Sequence, residues 1–232
     1  MARKPHTYWD EGITLVSSCT PCSPGCDNCW ALAMERRFGK EGQVTFHPER
    51  LDRFSKEKPI VFSVWNDLYH EAISHEDRGT ALIRMNIHDQ HTYLILTKRV
   101  ELCAGFCSES ILPVWCGFNT FPNNIWHGLT VCNQQEADEK ISIFMKVPGK
   151  KFLSIEPILG EIEMGDGFDA VVLGCETGAN ARPMNLDWAY SIAVQCELAG
   201  IPLFIKALTV DGKPNHSITF WPDVLRIRQR AW

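Results

Sequence analysis

Short apolar runs recur along the chain at 13–16, 60–64, 93–96, 125–129, 152–155, 170–173 and 203–205, with a briefer one at 44–46. Most are nearly continuous in Ile, Val, Leu and Phe rather than alternating with polar residues. That is the pattern of strands in a parallel sheet covered on both faces. Helical spacing fills many of the intervals, at 30–38, 75–86, 134–145 and 187–199. Gly39 and Gly200 stand where the first and last of these should stop. Alternation of strand and helix predicts βαβ units and a parallel sheet. The expected fold is therefore α/β, a partial (β/α)6 TIM-like barrel, with an open doubly wound sheet as the competing arrangement. The segment 103–124, with its Pro, Gly and Asn residues, reads as a long loop between two units. No Gly-, Ser- or Pro-rich linker divides the chain, so residues 1–232 are expected to form a single domain.

Polar side chains gather just after the apolar runs, where barrel folds carry their chemistry. Asn66, Asp67 and His70 follow the run at 60–64, which itself contains Ser63. Thr97, Lys98 and Arg99 follow 93–96, and Thr130 and then Asn133 follow 125–129. Glu156 follows 152–155, which contains Ser154; Glu176 and Thr177 follow 170–173; Lys206 follows 203–205. Any one of these reads as a solvated strand end. Six at the same end predict a shared pocket.

The 232 residues are 45% hydrophobic and 22% charged, ordinary for a globular chain. A net charge of −5 argues against a general polyanion binder and leaves room for a local basic groove. No apolar run approaches the ~20 residues needed to cross a bilayer, so no membrane partner is expected. The start, MARKPHTYWDEG, has no apolar signal core. A cytoplasmic location is the expectation.

Ten cysteines sharpen the picture. In a reducing compartment they point to metal or cluster ligation before disulfides. Cys132, Cys175 and Cys196 lie in or beside apolar segments and read as small buried hydrophobes. Cys103, Cys107 and Cys116 read as free thiols in the long loop. Cys19, Cys22, Cys26 and Cys29 crowd one stretch after the first strand, and Pro21, Pro24 and Gly25 fold it tightly. Structural zinc prefers two Cys pairs with a longer spacer. The C-x3-C-x2-C spacing of Cys22, Cys26 and Cys29 instead suits three irons of a 4Fe-4S cluster, leaving the fourth open to a substrate or cofactor.

The chain carries SPGCDNCWA at 23–31, HPERLD at 47–52, NDLYHE at 66–71, LTKR at 96–99 and WHGLTVCNQQEADEKI at 126–141. It continues with FLSIEPILG at 152–160, GCETGANARPM at 174–184, IPLFIKAL at 201–208 and WPDVLRIR at 221–228. With these blocks in this order it resembles the radical S-adenosyl-L-methionine (SAM) superfamily. Within that superfamily it looks like a phage-associated three-Cys-motif family, distantly similar to spore photoproduct lyase. The family's C-x6-C-x2-C spacing matches Cys19, Cys26 and Cys29, whereas Cys22 restores the general superfamily spacing, so the third ligand is Cys19 or Cys22. The family's usual Gly-Gly-Glu-Ser stands here as Gly174-Cys175-Glu176-Thr177, and its Lys-Gln as Lys206-Ala207.

The resemblance implies a barrel of radical SAM type, with a 4Fe-4S cluster and SAM as cofactors. Cleavage of SAM would give methionine and a 5′-deoxyadenosyl radical that takes hydrogen from the substrate. It places Ser63, Asn66 and Asp67 at the SAM ammonium, and Lys98 or Arg99 at its carboxylate or at a substrate phosphate. Thr97, Thr130, Ser154, Glu156 and Glu176 would complete the SAM site, with Arg182 as an anion binder and His70 as a proton carrier. Lys98, Glu156 and Glu176 are the candidate catalytic residues. The implied substrate is a nucleobase, a nucleotide or a thymidine of modified phage DNA, isomerised or rearranged. The implied electron donor is a flavodoxin or ferredoxin, in the host cytoplasm if the chain is phage-encoded. Arg226, Arg228 and Arg230, between Trp221 and Trp232, suit a grip on single strands. The competing reading is a metal-stabilised binding module that serves a partner protein without catalysis. A SAM methyltransferase is disfavoured, because cysteines rather than a Gly-rich loop follow the first strand.

Overall fold

The computed structural model describes residues 6–38, 42–108, 111–178 and 180–232. The first strand, β1 (Glu11–Thr14), leads to β2 (Val16–Ser17), the cysteine loop, α1 (Trp30–Arg37) and β3 (Thr45–Phe46). Then come β4 (Val61–Trp65), α2 (His75–Ile87), β5 (Thr92–Thr97), α3 (Val100–Phe106) and α4 (Leu112–Cys116). The chain continues through β6 (Ile125–Thr130), α5 (Gln134–Phe144), β7 (Lys150–Ile155) and β8 (Ala170–Gly174). It ends with α6 (Leu186–Ala199), β9 (Leu203–Val210) and β10 (Lys213–Asn215). Side chains of Ser74, Asn133 and Asn185 accept backbone N–H bonds at the starts of α2, α5 and α6, satisfying donors that a helix start leaves free. Asn133 is thereby a cap, not a pocket residue. Gly200 ends α6 as expected, and Gly39 lies outside the described residues.

Among the described residues the main sheet has eight strands in the order β1-β4-β5-β6-β7-β8-β9-β10. Neighbours are parallel from β1 through β9, and β10 runs antiparallel to β9. β2 and β3 form a separate antiparallel pair. The mixed α/β class expected from the pattern is present, with corrections in detail. The parallel strands number seven rather than six, and no helix joins β7 to β8. The run at 13–16 breaks at Leu15, where the chain leaves the main sheet for the β2–β3 pair. The supposed loop at 103–124 carries most of α3 and all of α4. Pro113 in the first turn and Gly117 at the C-cap punctuate α4 rather than abolish it.

Val61, Leu94, Trp126, Phe152, Val172 and Phe204, from six successive strands, pack in one cluster with Tyr8. Laid flat, six strands would span ~24 Å, so the sheet curls into a half-barrel to bring them together. Phe62, Ile95, Leu129, Leu153, Leu173 and Ile205 alternate to the outer face and join the core beneath the helices. The C-terminal tail plugs the N-terminal ends of the strands. Trp232 Nε1 donates to Tyr8 O at 2.7 Å, Arg228 lies over Trp221 and donates to His216 O, and Arg230 lies over Phe204. Arg228 and Arg230 thus take part in this closure, whereas Arg226 is exposed and pairs with Asp223. Among the described residues no helix is long and apolar enough to cross a membrane.

Candidate functional site

Strand alternation builds the site. If Val61, Leu94, Trp126, Phe152 and Phe204 face inward, so do Ser63, Trp65, Leu96, Lys98, Thr130, Ser154, Glu156 and Lys206, two or four residues further on. The inner face is therefore apolar below and polar above, at the C-terminal ends of the strands. All eight of these residues line one cavity of about 650 Å³. Cys19, Cys22, Cys26 and Cys29 line it too, as do Asn66, Asp67, Thr97, Arg99 and Thr177. The common pocket expected from the strand ends thus exists.

The cysteine loop is held on three sides. Asn66, at φ 61°, donates from Nδ2 to Val16 O at 2.8 Å. Arg99 donates to Thr20 O at 3.0 Å, to Thr20 Oγ1 at 2.8 Å and to the Cys19 sulfur at 3.7 Å, and pairs with Glu71. Gly25 rests on Cys132, two residues past β6: a Cβ there would lie 2.3 Å from Cys132 Sγ. Within the loop, a hydrogen bond from the Cys22 thiol pushes Cys26 well below the usual thiol range against the effect of burial, and pushes Cys22 up. Burial works against the Lys98 ammonium, but the sulfurs of Cys26, Cys132, Cys29 and Cys22 outweigh it and hold its pKa up. Burial raises Cys19, with Arg99 opposing.

Several expected ligand contacts are already taken. Asp67 accepts from Tyr69 N, from Thr97 Oγ1 at 2.8 and 3.0 Å, from Lys98 N at 3.1 Å and from Arg99 Nη1 at 3.3 Å. Its carboxylate braces the segment after β4 against the end of β5, and the Asn66 amide donates one N–H to Val16 O. Glu176 and Arg182 do not line the cavity. Glu176 accepts from Asn28 at 2.9 Å and from Arg182, while Arg182 reaches Pro24 O at 2.8 Å and Asp27 at 3.1 Å. Together they clamp the cysteine loop from outside. His70 bonds Thr20 Oγ1 at 2.9 Å and supports the same loop; burial first, then Arg99, holds its pKa down.

Glu156 and Lys206 remain inside the cavity, paired at 2.7 Å. Glu156 Oε1 is buried with no hydrogen-bond partner. Lys206 Nζ sits 5.2 Å from the centre of the Trp9 ring. An aromatic wall of Trp9, Trp30 and Trp65, not among the expected site residues, completes the lining, with Trp30 meeting Trp65 edge-on at 5.3 Å. Trp65 was open to the alternation argument; Trp9 and His216, which also line the cavity, carry no local signal.

The remaining cysteines divide. Cys132, Cys175 and Cys196 are buried as expected. Cys103 lies in α3 and Cys107 caps its C-terminal end one turn on, so neither is a loop thiol; both are buried against His127 of β6, with ligand atoms within 4.8 Å of one another. That spread suits a metal ion.

Residues 6–214 match the model of a family described as a protein of unknown function (DUF5131), and the chain belongs to that family. No curated protein and no solved structure matches it.

Proposed function

We propose that the chain is a radical SAM enzyme on a partial TIM-like barrel, with a 4Fe-4S cluster at the cysteine loop and SAM in the cavity beside it. The observation that carries this reading is that Cys19, Cys22, Cys26 and Cys29 share one cavity with Ser63, Lys98, Thr130, Ser154 and Glu156. The donor set fits a cluster better than a single ion. The four thiols form no disulfide, and no three of them gather within 4.8 Å, as ligands of one ion would. Thiolates of a cluster sit on separate irons and stand further apart.

When bound, such a cluster supplies the electron that cleaves SAM to methionine and a 5′-deoxyadenosyl radical, which takes hydrogen from the substrate. Cys26 and Cys29, with Cys19 or Cys22, hold iron, and Lys98 offsets thiolate charge while presenting an ammonium to a carboxylate. The hydroxyls of Ser63, Thr130 and Ser154 suit a ribose and the polar end of methionine. The free oxygen of Glu156 accepts from an ammonium or a hydroxyl of a bound ligand. Trp30 and Trp65 wall the loop side, and Trp9 with Lys206 offers a ring face and a charge elsewhere in the cavity. That ring and charge suit a nucleobase with its phosphate, so a nucleotide or a thymidine of phage DNA is the proposed substrate, isomerised in place. A flavodoxin or ferredoxin in the cytoplasm is the proposed electron donor.

The buried Cys103–Cys107–His127 group favours a second reading, a metal-stabilised module that serves a partner protein. One experiment separates the two. Protein purified without air and given iron and sulfide should turn brown with the absorbance of four irons, and once reduced should release 5′-deoxyadenosine from SAM. A colourless protein that binds zinc and leaves SAM intact sinks the enzyme reading.

A further inference from the structure

Behind the sheet, away from the cavity, polar side chains meet in an apolar layer. Tyr69, Cys103 and His127 are 0% exposed and Cys107 is 3% exposed. Cys103 and Cys107 stand four residues apart, which puts both sulfurs on one face of α3. His127 alternates to the outer face of β6, opposite the inward Trp126 and Gly128. Tyr69 comes from the segment after β4.

The geometry is that of a ligand set. Cys107 Sγ lies 3.8 Å from His127 Nε2 and 3.7 Å from Tyr69 Oη, which is 2.6 Å from the same Nε2. A sulfur and a nitrogen bound to one tetrahedral zinc at ordinary bond lengths stand ~3.6 Å apart. His127 Nδ1 is buried without a partner, so Nε2 is the ring nitrogen directed at the group. Two thiolates and an imidazole are soft to borderline donors, which suit zinc and not calcium or magnesium.

We propose that Cys103, Cys107 and His127 bind one zinc ion as a staple between α3 and β6; the Tyr69 hydroxyl, at 2.6 Å from His127 Nε2, is hydrogen-bonded to that nitrogen and gives way to the ion. Binding releases the two thiol protons to solvent, and the divalent ion with two thiolates leaves the buried site neutral. The site is separate from the cysteine loop and does not depend on the enzyme reading.

The test uses the full chain with Cys19, Cys22, Cys26 and Cys29 changed to Ser, so that a thiolate–metal signal comes from elsewhere. Cobalt(II) is the probe and zinc its competitor. One equivalent of cobalt should give a thiolate-to-cobalt charge-transfer band that zinc abolishes. Cys107→Ser in that chain should remove most of the band, and Cys196→Ser, at another buried cysteine, should leave it whole. Absence of the band in a chain that circular dichroism shows to be folded overturns the site, as does a full band in Cys107→Ser. If the four-serine chain does not fold, bound zinc is counted in His127→Gln on the otherwise native chain. A fall of one zinc per chain supports the site, and an unchanged count overturns it.

Discussion

Lys206 Nζ lies 2.7 Å from Glu156 Oε2, although β8 runs between the strands that carry them. Gly174 at the end of β8 leaves room between them: a Cβ there would sit 3.3 Å from Glu156 Cγ, a tight contact, and 3.7 Å from Lys206 Cβ, an ordinary one. The pair therefore spans the inner face at the mouth of the cavity. It also turns the second oxygen of Glu156 into a buried acceptor with nothing to accept.

Removing the cation should strand the carboxylate. Lys206→Met is expected to lower stability by about 1–3 kcal/mol in urea denaturation. Glu156→Gln added to it should recover part of that loss. Strictly additive losses across the four proteins would show that the two side chains are not coupled.

Asp67 distinguishes a brace from a ligand. Its oxygens already serve Tyr69, Thr97, Lys98 and Arg99. Asp67→Asn should cost about 1–3 kcal/mol of stability through the donors it leaves mispaired, with little change in SAM affinity by calorimetry on anaerobic, cluster-loaded protein. Weakened SAM binding at full stability would return Asp67 to the ligand site.

The outer clamp should respond to acid. Burial alone would raise the Glu176 carboxyl, but the side chain and backbone N–H of Arg182, with Asn28, hold it below its ordinary value. A carboxylate depressed in the folded state adds stability above its unfolded pKa of about 4.3 and loses it as pH falls through the folded value. The gap in melting temperature between the native chain and Glu176→Gln should be widest near neutral pH and shrink below about pH 4.3. A gap that stays constant through that range would mean the clamp contributes no pH-linked stability.

Gly25 lets the cysteine loop touch Cys132, just past β6. Gly25→Ala would drive a methyl group to 2.3 Å from Cys132 Sγ, with Pro157 Cδ at 3.2 Å on another side. The loop must lift. Iron retained after reconstitution should drop several-fold while the melting temperature shifts only slightly. Full iron content in the variant would show that the loop's seat on Cys132 is not needed.

Much of the architecture was legible because its causes are local. Continuous apolar runs mark strands buried on both faces, and Asn185 and Gly200 bound α6 by rules that act within a few residues. The helices at 100–106 and 112–116 were hidden for the same reason: over so short a span, Pro113 and Gly117 look like a loop until packing selects the helix. At the strand ends the sequence marked the right positions and not their direction. Lys98, Thr130, Ser154 and Glu156 line the cavity, whereas Glu176 turns to Arg182 and the outside of the cysteine loop.

The order of strands and helices, the crowding of four thiols after the first strand and the polar strand ends were determined by the sequence itself, since periodicity and spacing act between near neighbours along the chain. Tertiary structure alone decided which polar groups share the cavity, which are spent on bracing it, and that Cys103 and Cys107 meet His127 from a different element. Those meetings join residues far apart in the chain, and the curl of the sheet with the docking of α3 on its outer face sets them.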